Sequence, residues 1–382
     1  MKGMISVLLG CLISMGAGGA EQRPNLLFIT VDDMNWDSVG AFGCSVEGIT
    51  PHMDRLAAEG MRFQRAHVTI AICQPTRAVW MTGRYPHRNG ALGFDPIAQE
   101  VPSLPEALKE AGYLTGLLGK ERHVVPTRHA AFEVIRGMKD LGQGREVEKY
   151  REAVREFLAR AKAEERSFFL MANAHDPHRP FAGSDQEKWR PRPAVRKTYT
   201  PGEVSVPGFL PDLPEVRQEL AEYFTSVHRA DEVVGAVLDE LEKAGMKGNT
   251  LVVFVSDHGM PLPFAKTNCY YNSTRTPMIV RWPGVVEAGS ENKEDFVSGI
   301  DVAPTFLAAA GLPNLAGADG ESIVPLLKGG KVEGRNKVFT MINTISGGKP
   351  YPMRAVQDEL YLYIWNGWAD GKTVFKNESQ SG

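Results

Sequence analysis

Four apolar runs, far apart in the chain, each stop at an ionisable residue. Asn25–Val31 (NLLFITV) stops at Asp32-Asp33, residues 113–118 at Gly119-Lys120, residues 167–174 (SFFLMANA) at His175, and residues 251–256 (LVVFVS) at Asp257-His258-Gly259. A short run that is apolar throughout suits a strand buried on both faces. Helical patterns lie between the runs. Thr50-Pro51 opens a short helix that Gly60 closes. Ser103-Leu104-Pro105-Glu106 reads as a capping box, and Gly112 ends that helix. Residues 145–165 carry Val147, Tyr150, Val154, Phe157 and Leu158 at helical spacing; residues 215–245 carry Leu220, Phe224, Val227, Val234, Leu238 and Leu241. Strand alternates with helix, so the expected class is α/β, with a mostly parallel central sheet and helices on both faces. A fifth strand is expected over 277–281. Residues 183–214, rich in Pro and polar residues, read as a long surface excursion.

In open sheets of this class, ligands bind beyond the carboxyl ends of the strands. Charged residues from distant stretches would therefore meet in one crevice. Asp32, Asp33 and Asp257 would repel one another there and raise one another's pKa. A divalent cation resolves the conflict, and oxygen ligands favour a hard one such as Ca²⁺ or Mg²⁺. For any single Asp, capping of the following loop is the competing explanation. A doublet plus a distant single at matching strand ends favours the metal.

Composition narrows the remaining classes. Forty-three Lys+Arg against 46 Asp+Glu leave a net charge of −3, which disfavours a wholesale nucleic-acid binder. Beyond the N-terminus no apolar run is long enough to span a membrane. Residues 1–20 read as a secretory signal, with Lys2 at its start, an apolar stretch over 4–15 and small residues over 16–20. The chain is thus expected to be exported, to periplasm, extracellular space or lysosome. Cys11, in Leu8-Leu9-Gly10-Cys11, offers a lesser reading as a lipid anchor. Past the signal only Cys44, Cys73 and Cys269 remain, too few for a disulfide scaffold.

Cys73 lies in Cys73-Gln74-Pro75-Thr76-Arg77, followed by AVWMTG. Pro75 suits a first helical turn, so Cys73 would sit at a helix N-terminus, where dipole and free N–H groups attract anions. A thiol there is either an activated nucleophile or a site of modification. Arg77, one turn on, could fork an oxyanion or hold whatever Cys73 becomes.

Cys-x-Pro-x-Arg followed by Thr-Gly resembles the signature of the type I sulfatases of the alkaline phosphatase superfamily. The strand ends at Asp32-Asp33, Gly119-Lys120, His175-Asp-Pro-His178 and Ser256-Asp257-His258-Gly259 occur in that family's order. HDPHR (175–179), SDHGMPLPFAKTNCYY (256–271) and YPMRAVQ (351–357) look most like the heparan N-sulfatases. The resemblance implies an alkaline-phosphatase-like fold, with a signal over 1–20, a catalytic domain over 21–340 and a short C-terminal subdomain over 341–382. It implies that a maturation enzyme oxidises Cys73 to formylglycine (3-oxoalanine), whose hydrate is the nucleophile. Asp32, Asp33, Asp257, His258 and modified Cys73 would hold Ca²⁺. Arg77 would steady the hydrate, Lys120 and His123 would contact it and the sulfate, and Lys266 would bind a sulfate oxygen. His178, with His175 as second candidate, would protonate the leaving group. The implied reaction releases N-sulfate from glucosamine in heparin or heparan sulfate oligosaccharides. Alternatives are O-sulfate hydrolysis on another glycan, phosphodiester or phosphonate hydrolysis, and an inactive glycan-binding homologue. The chain departs from the family pattern at Thr76 (Ser), His258 (Asn) and Lys266 (Arg), and in one extra residue between Lys120 and His123.

Lys188, Arg190, Arg192, Arg196 and Lys197, with Trp189 among them, make the excursion basic. They read as a solvated loop or as a landing strip for a sulfated polysaccharide. Trp365 and Trp368 read as packing residues.

Overall fold

The computed structural model describes residues 23–124, 128–188, 192–345 and 347–372. The expected signal over 1–20, Cys11, Trp189 and Arg190 lie outside the described residues. Among the described residues the main sheet has eight strands: β1 (Asn25–Val31), β2 (Met61–Phe63), β3 (Leu114–Leu118), β4 (Val134–Arg136), β5 (Phe168–Asn173), β6 (Thr250–Ser256), β7 (Met278–Arg281) and β8 (Ser290–Asn292). Their order is β4-β3-β5-β1-β6-β7-β2-β8. The first five in that order are mutually parallel.

Each expected apolar run is a strand, and the four meet as neighbours. β1 is central, with Thr30 level with Asn173 of β5 on one side and Val31 level with Ser256 of β6 on the other. Its alternating side chains serve two cores. Leu27, Ile29 and Val31 pack with α1 (Pro51–Ala58) and two long helices that follow in the chain. Leu26 and Phe28 pack with α2 (Cys73–Thr82) and α3 (Leu104–Glu110) on the other face. The long helices of the first face are α4 (Val147–Ala163) and α5 (Pro214–Lys243). α6 (Val302–Ala309) completes the second face, where Phe28 meets Trp80 edge-on at 5.2 Å and Phe306 at 5.4 Å. Burying an aliphatic or aromatic side chain of this size contributes about 1.5–3 kcal/mol. The capping box before α3 forms, with the Ser103 N–H donating to Glu106 Oε2 at 3.1 Å. No helix among the described residues is long and apolar enough to cross a membrane.

Two expectations need correction, and a third is met with a direction the sequence had left open. The strand at 278–281 exists, but β7 runs antiparallel to both of its neighbours. A parallel return needs a crossover element, and between β6 and β7 the chain forms only the helical turn Tyr271–Thr274. The excursion after residue 183 is not all surface: Glu187, Tyr199 and Val204 are buried, and Glu187 pairs with Arg229 at 3.1 Å. Its basic residues are partly engaged within the chain. Arg196 pairs with Glu148 and Glu232, and Lys197 lies over the Tyr199 ring. Trp368 stacks on Tyr351 at 4.8 Å as a packing residue should, whereas Trp365 is 52 % exposed.

The chain ends in an antiparallel sheet of β9 (Val338–Thr344), β10 (Pro350–Gln357) and β11 (Leu362–Asn366). Its inner face, with Ile342, Met353 and Ala355, packs on Ile70, Ile72 and Val79 around the start of α2.

Asp231 of α5 caps α1, accepting the N–H groups of His52 at 3.1 Å and Met53 at 2.8 Å. Burial, with Asp54 and Glu232 nearby, outweighs those bonds and pushes its carboxyl up to about 8. A raised carboxyl favours the folded state only while protonated, so its contribution declines as pH rises from its unfolded value towards 8. Asp231→Asn keeps the acceptor and removes the charge. Its melting temperature relative to the parent is expected to rise between pH 5 and pH 8 in thermal denaturation; a flat difference would contradict this assignment.

Candidate active site

β3, β5, β1 and β6 are adjacent and parallel, so their carboxyl ends share one edge of the sheet. Lys120, His175, Asp32-Asp33 and Asp257-His258 follow directly from these ends. The turns are tight. Gly119 has φ +71°, and a Cβ there would lie 2.6 Å from the Asn173 carbonyl oxygen. Lys120 and Asp33 also hold positive φ, 55° and 62°, a strained state that persists where surroundings enforce it. Backbone bonds stitch the ends together. Asp32 N–H donates to Asp176 O at 3.2 Å, Asp257 N–H to Val31 O at 3.1 Å, and Asp33 N–H to Asp257 Oδ1 at 3.0 Å.

Three carboxylates and three cations interlock below that edge. Arg77, fully buried on α2, pairs with Asp32 and reaches Asp257 Oδ2 at 3.5 Å. Lys120 pairs with the other Asp32 oxygen. Lys266 donates to both Asp33 oxygens, at 3.1 and 2.9 Å. Burial opposes ionisation of Asp32, but Lys120 and Arg77 prevail and hold its carboxyl well below the usual range. Asp257 is less well compensated; burial and Asp32 push it up to about 6. Removing charges from water costs several kcal/mol per ion, so this cluster is poor value as stability alone and points to function.

Cys73 begins α2 at this cluster, 2 % exposed, with its Sγ 3.5 Å from His258 Nε2. Burial and the neighbouring Asp257 push the thiol well up, against the effect of Lys266. These surroundings favour the thiol over the thiolate. One donor atom each from Asp33, Cys73, Asp257 and His258 lie within 4.8 Å of one another, a span that a single metal ion bridges. Asp32 stands beside this group with its oxygens committed to Arg77 and Lys120.

His175 and His178 stack at 4.7 Å. His175 Nδ1 lies 3.3 Å from Asp32 Oδ2, and His178 Nε2 lies 4.0 Å from Asp33 Oδ2. Burial, then Lys120 for His175 and Lys266 for His178, depress both imidazoles well below their ordinary value. His123 sits in the turn after Lys120, its ring edge-on to Phe94 at 5.9 Å.

Several supporting residues escaped the sequence reading. Arg77 Nη1 donates to Thr30 Oγ1 at 3.1 Å and Asn173 Oδ1 at 2.6 Å, and Thr30 donates to Asn173 at 2.7 Å. Their signal was a lone polar residue inside each of two apolar runs. Behind the His175–His178 loop, buried Asp176 pairs with Arg145 at 2.8 Å and Arg229 at 2.5 Å, while Arg145 also donates to His178 O at 2.7 Å. These charges lie on separate elements, and no local spacing announces them.

The Sulfatase family model matches residues 24–312. The chain belongs to the sulfatase family. Human N-sulphoglucosamine sulphohydrolase is 33 % identical, over 93 % of this chain and 76 % of that protein. Human N-acetylgalactosamine-6-sulfatase is 29 % identical, over 93 % and 74 %. Among solved structures, a protein in complex with its substrate D-glucosamine-2-N,6-O-disulfate superposes with TM-score 0.70 at 19 % identity, covering 92 % of both chains. Phosphonate monoester hydrolase from Silicibacter pomeroyi gives TM-score 0.68 at 20 % identity, over 92 % and 90 %. The α/β fold is thus the alkaline-phosphatase-like fold of the sulfatases, and the protein is a sulfuric ester or sulfamate hydrolase.

Asp32→Asn would leave Arg77 and Lys120 buried beside a neutral amide. Breaking a buried pair in this way costs about 3–5 kcal/mol, to be read as a lower midpoint in denaturant; a loss below 1 kcal/mol would show that the carboxylate is not the keystone of the cluster.

Proposed function

We propose that this sulfatase releases the N-sulfate of glucosamine in heparin or heparan sulfate oligosaccharides, using Cys73 oxidised to formylglycine and a bound Ca²⁺. The carrying observation is Cys73: a buried thiol, its pKa pushed up by burial and Asp257, at a place where three carboxylates and three cations converge. Such a residue is better explained as a precursor than as a nucleophile in its own right. Asp33, Asp257, His258 and residue 73 supply donors within reach of one ion; Asp32, expected as a further ligand, stands outside this group, paired with Arg77 and Lys120. When present, the formylglycine hydrate supplies a nucleophile able to expel sulfate by regenerating its carbonyl, and Ca²⁺ supplies positive charge to the sulfo oxygens.

The chain's own residues do the rest. Arg77, locked by Asp32, Thr30 and Asn173, holds a guanidinium beside residue 73. Lys120 and Lys266 bring two ammonium groups to an anion whose charge is spread over several oxygens. His123, edge-on to Phe94, is the proposed further contact to the sulfate. An amine leaves poorly unless protonated. His178 is the proposed acid: its depressed pKa makes the imidazolium a ready donor, and Arg145 fixes its backbone from behind. His175, held by Asp32, is the second candidate and supports the His178 ring by stacking.

The 33 % identical human N-sulphoglucosamine sulphohydrolase supports this substrate. Export through the signal at 1–20, maturation by a formylglycine-generating enzyme, and a catalytic domain over 21–340 with its C-terminal subdomain belong to the same proposal. His258 favours a second reading, phosphodiester or phosphonate hydrolysis, because imidazole widens the range of metals the site accepts.

Mass spectrometry of the Cys73 peptide is expected to show aldehyde in place of thiol. Turnover of a phosphodiester with no release from any N- or O-sulfate would defeat the proposal. For the sulfamate, activity is expected to fall as pH rises through a His178 pKa below the ordinary histidine value. His178→Ala should remove that limb and cost about 10²–10⁴-fold, with a smaller loss on an aryl sulfate that needs no proton. Equal losses on both substrates would reassign the acid.

A further inference from the structure

We propose that the unoxidised form of this protein holds a borderline divalent ion, Zn²⁺ foremost, in a four-coordinate site made of Cys73 Sγ, His258 Nε2 and one oxygen each of Asp33 and Asp257. The contrast with a Ca²⁺ site rests on the preceding reading of Cys73; the thiol-form site itself rests on geometry.

Spacing is the first argument. His258 Nε2 lies 3.5 Å from Cys73 Sγ, 3.2 Å from Asp33 Oδ1 and 3.6 Å from Asp257 Oδ1. A tetrahedral ion with bonds of about 2.0–2.3 Å sets its ligand atoms roughly 3.3–3.8 Å apart. The three measured edges fall at or within a tenth of an ångström of that window, and all four donors lie within 4.8 Å of one another.

The second argument is the ring orientation of His258. Its Nδ1 lies 3.0 Å from the Gly259 carbonyl oxygen, which can only accept, so Nδ1 carries a proton. In the neutral ring Nε2 then presents a lone pair to a thiol and two carboxylate oxygens. Towards the two carboxylate oxygens acceptor faces acceptor, and the thiol has a single proton to offer, so a cation belongs among the four donors. A backbone carbonyl on the far nitrogen is the usual support for a metal-binding imidazole.

The carboxylates are held in place by their neighbours. Lys266 lies 2.9 Å from Asp33 Oδ2 and 3.1 Å from Oδ1, the oxygen that also faces His258, and the Asp33 N–H donates to Asp257 Oδ1 at 3.0 Å, where the second lone pair of that oxygen stays open. Asp33, Asp257 and His258 are fully buried and Cys73 is 2 % exposed, so water does not compete.

Donor chemistry then chooses the ion. Sulfur and imidazole suit Zn²⁺ and its neighbours, while Ca²⁺ takes six to eight oxygens. Binding forms a metal–sulfur bond and releases the thiol proton to solvent. Oxidising Cys73 exchanges sulfur for oxygen and moves the same pocket towards a hard ion. Metal preference would therefore report the chemical state of residue 73.

The test uses the full chain made without maturation activity, with Cys73 verified as thiol by mass. Co²⁺ serves as the visible stand-in. One equivalent should give a thiolate-to-cobalt charge-transfer band with the intense visible bands of four-coordination. Zn²⁺ should abolish it at one equivalent, and a hundredfold excess of Ca²⁺ should not. Cys73→Ser should lack the charge-transfer band, which separates this site from free Cys44 and Cys269. His258→Asn, checked as folded by circular dichroism, should bind Zn²⁺ at least about tenfold more weakly. The proposal is overturned by a folded thiol form with no such band, by a band that survives Cys73→Ser, or by Ca²⁺ displacing Co²⁺ at equal concentration. These readouts are independent of sulfate release. A thiol form with the band and a matured form inactive on every sulfate would sustain this site and sink the proposed function; a matured active form whose thiol precursor shows no band would do the reverse.

Discussion

Asp32 is the interaction on which the rest of the structure depends. It ends the central strand of the sheet and is buried, with one oxygen on Arg77 from α2 and the other on Lys120 from the end of β3. Through these pairs the carboxyl edge of the sheet is joined to the helix that carries Cys73. The Asp32 backbone N–H also binds Asp176, whose side chain gathers Arg145 and Arg229. One residue thus ties the helix that begins at Cys73, the lysine turn and the histidine loop into a single charged unit. Buried charges are costly to collect, and this arrangement satisfies nearly all of them on one another.

The fold was legible because its strands are buried on both faces. Such strands show as apolar runs with polar ends, and their order of charged termini already pointed to a shared edge. The antiparallel course of β7 was not legible, since MIVR reads alike in either direction and only the lack of a crossover decides it. The seating of Glu187 was also hidden: a Glu in a polar, Pro-rich stretch looks solvated until Arg229, on a helix some forty residues later, is placed beside it.

For the site, Asp32, Asp33, Cys73, Arg77, Lys120, Asp257, His258 and Lys266 are brought together. Their types and spacing had marked them individually. How they divide among themselves came only from geometry. The sequence treats Asp32 and Asp33 as equals, whereas one binds two cations of the framework and the other faces the donor group of His258. Thr30 and Asn173 were overlooked because one polar residue inside an apolar strand is an ordinary occurrence; only their level register, under Arg77, gives them meaning.

The position of β6 has a consequence for timing during synthesis. Asp257 and His258 emerge roughly 180 residues after Cys73, and the antiparallel sheet that packs on Ile70, Ile72 and Val79 emerges later still. At about 5–20 residues per second, the ribosome leaves Cys73 without its covering partners for on the order of ten to forty seconds. The enclosure that shields this sulfur in the finished molecule is thus assembled last, and the interval before it closes is set by chain order rather than by any moving part.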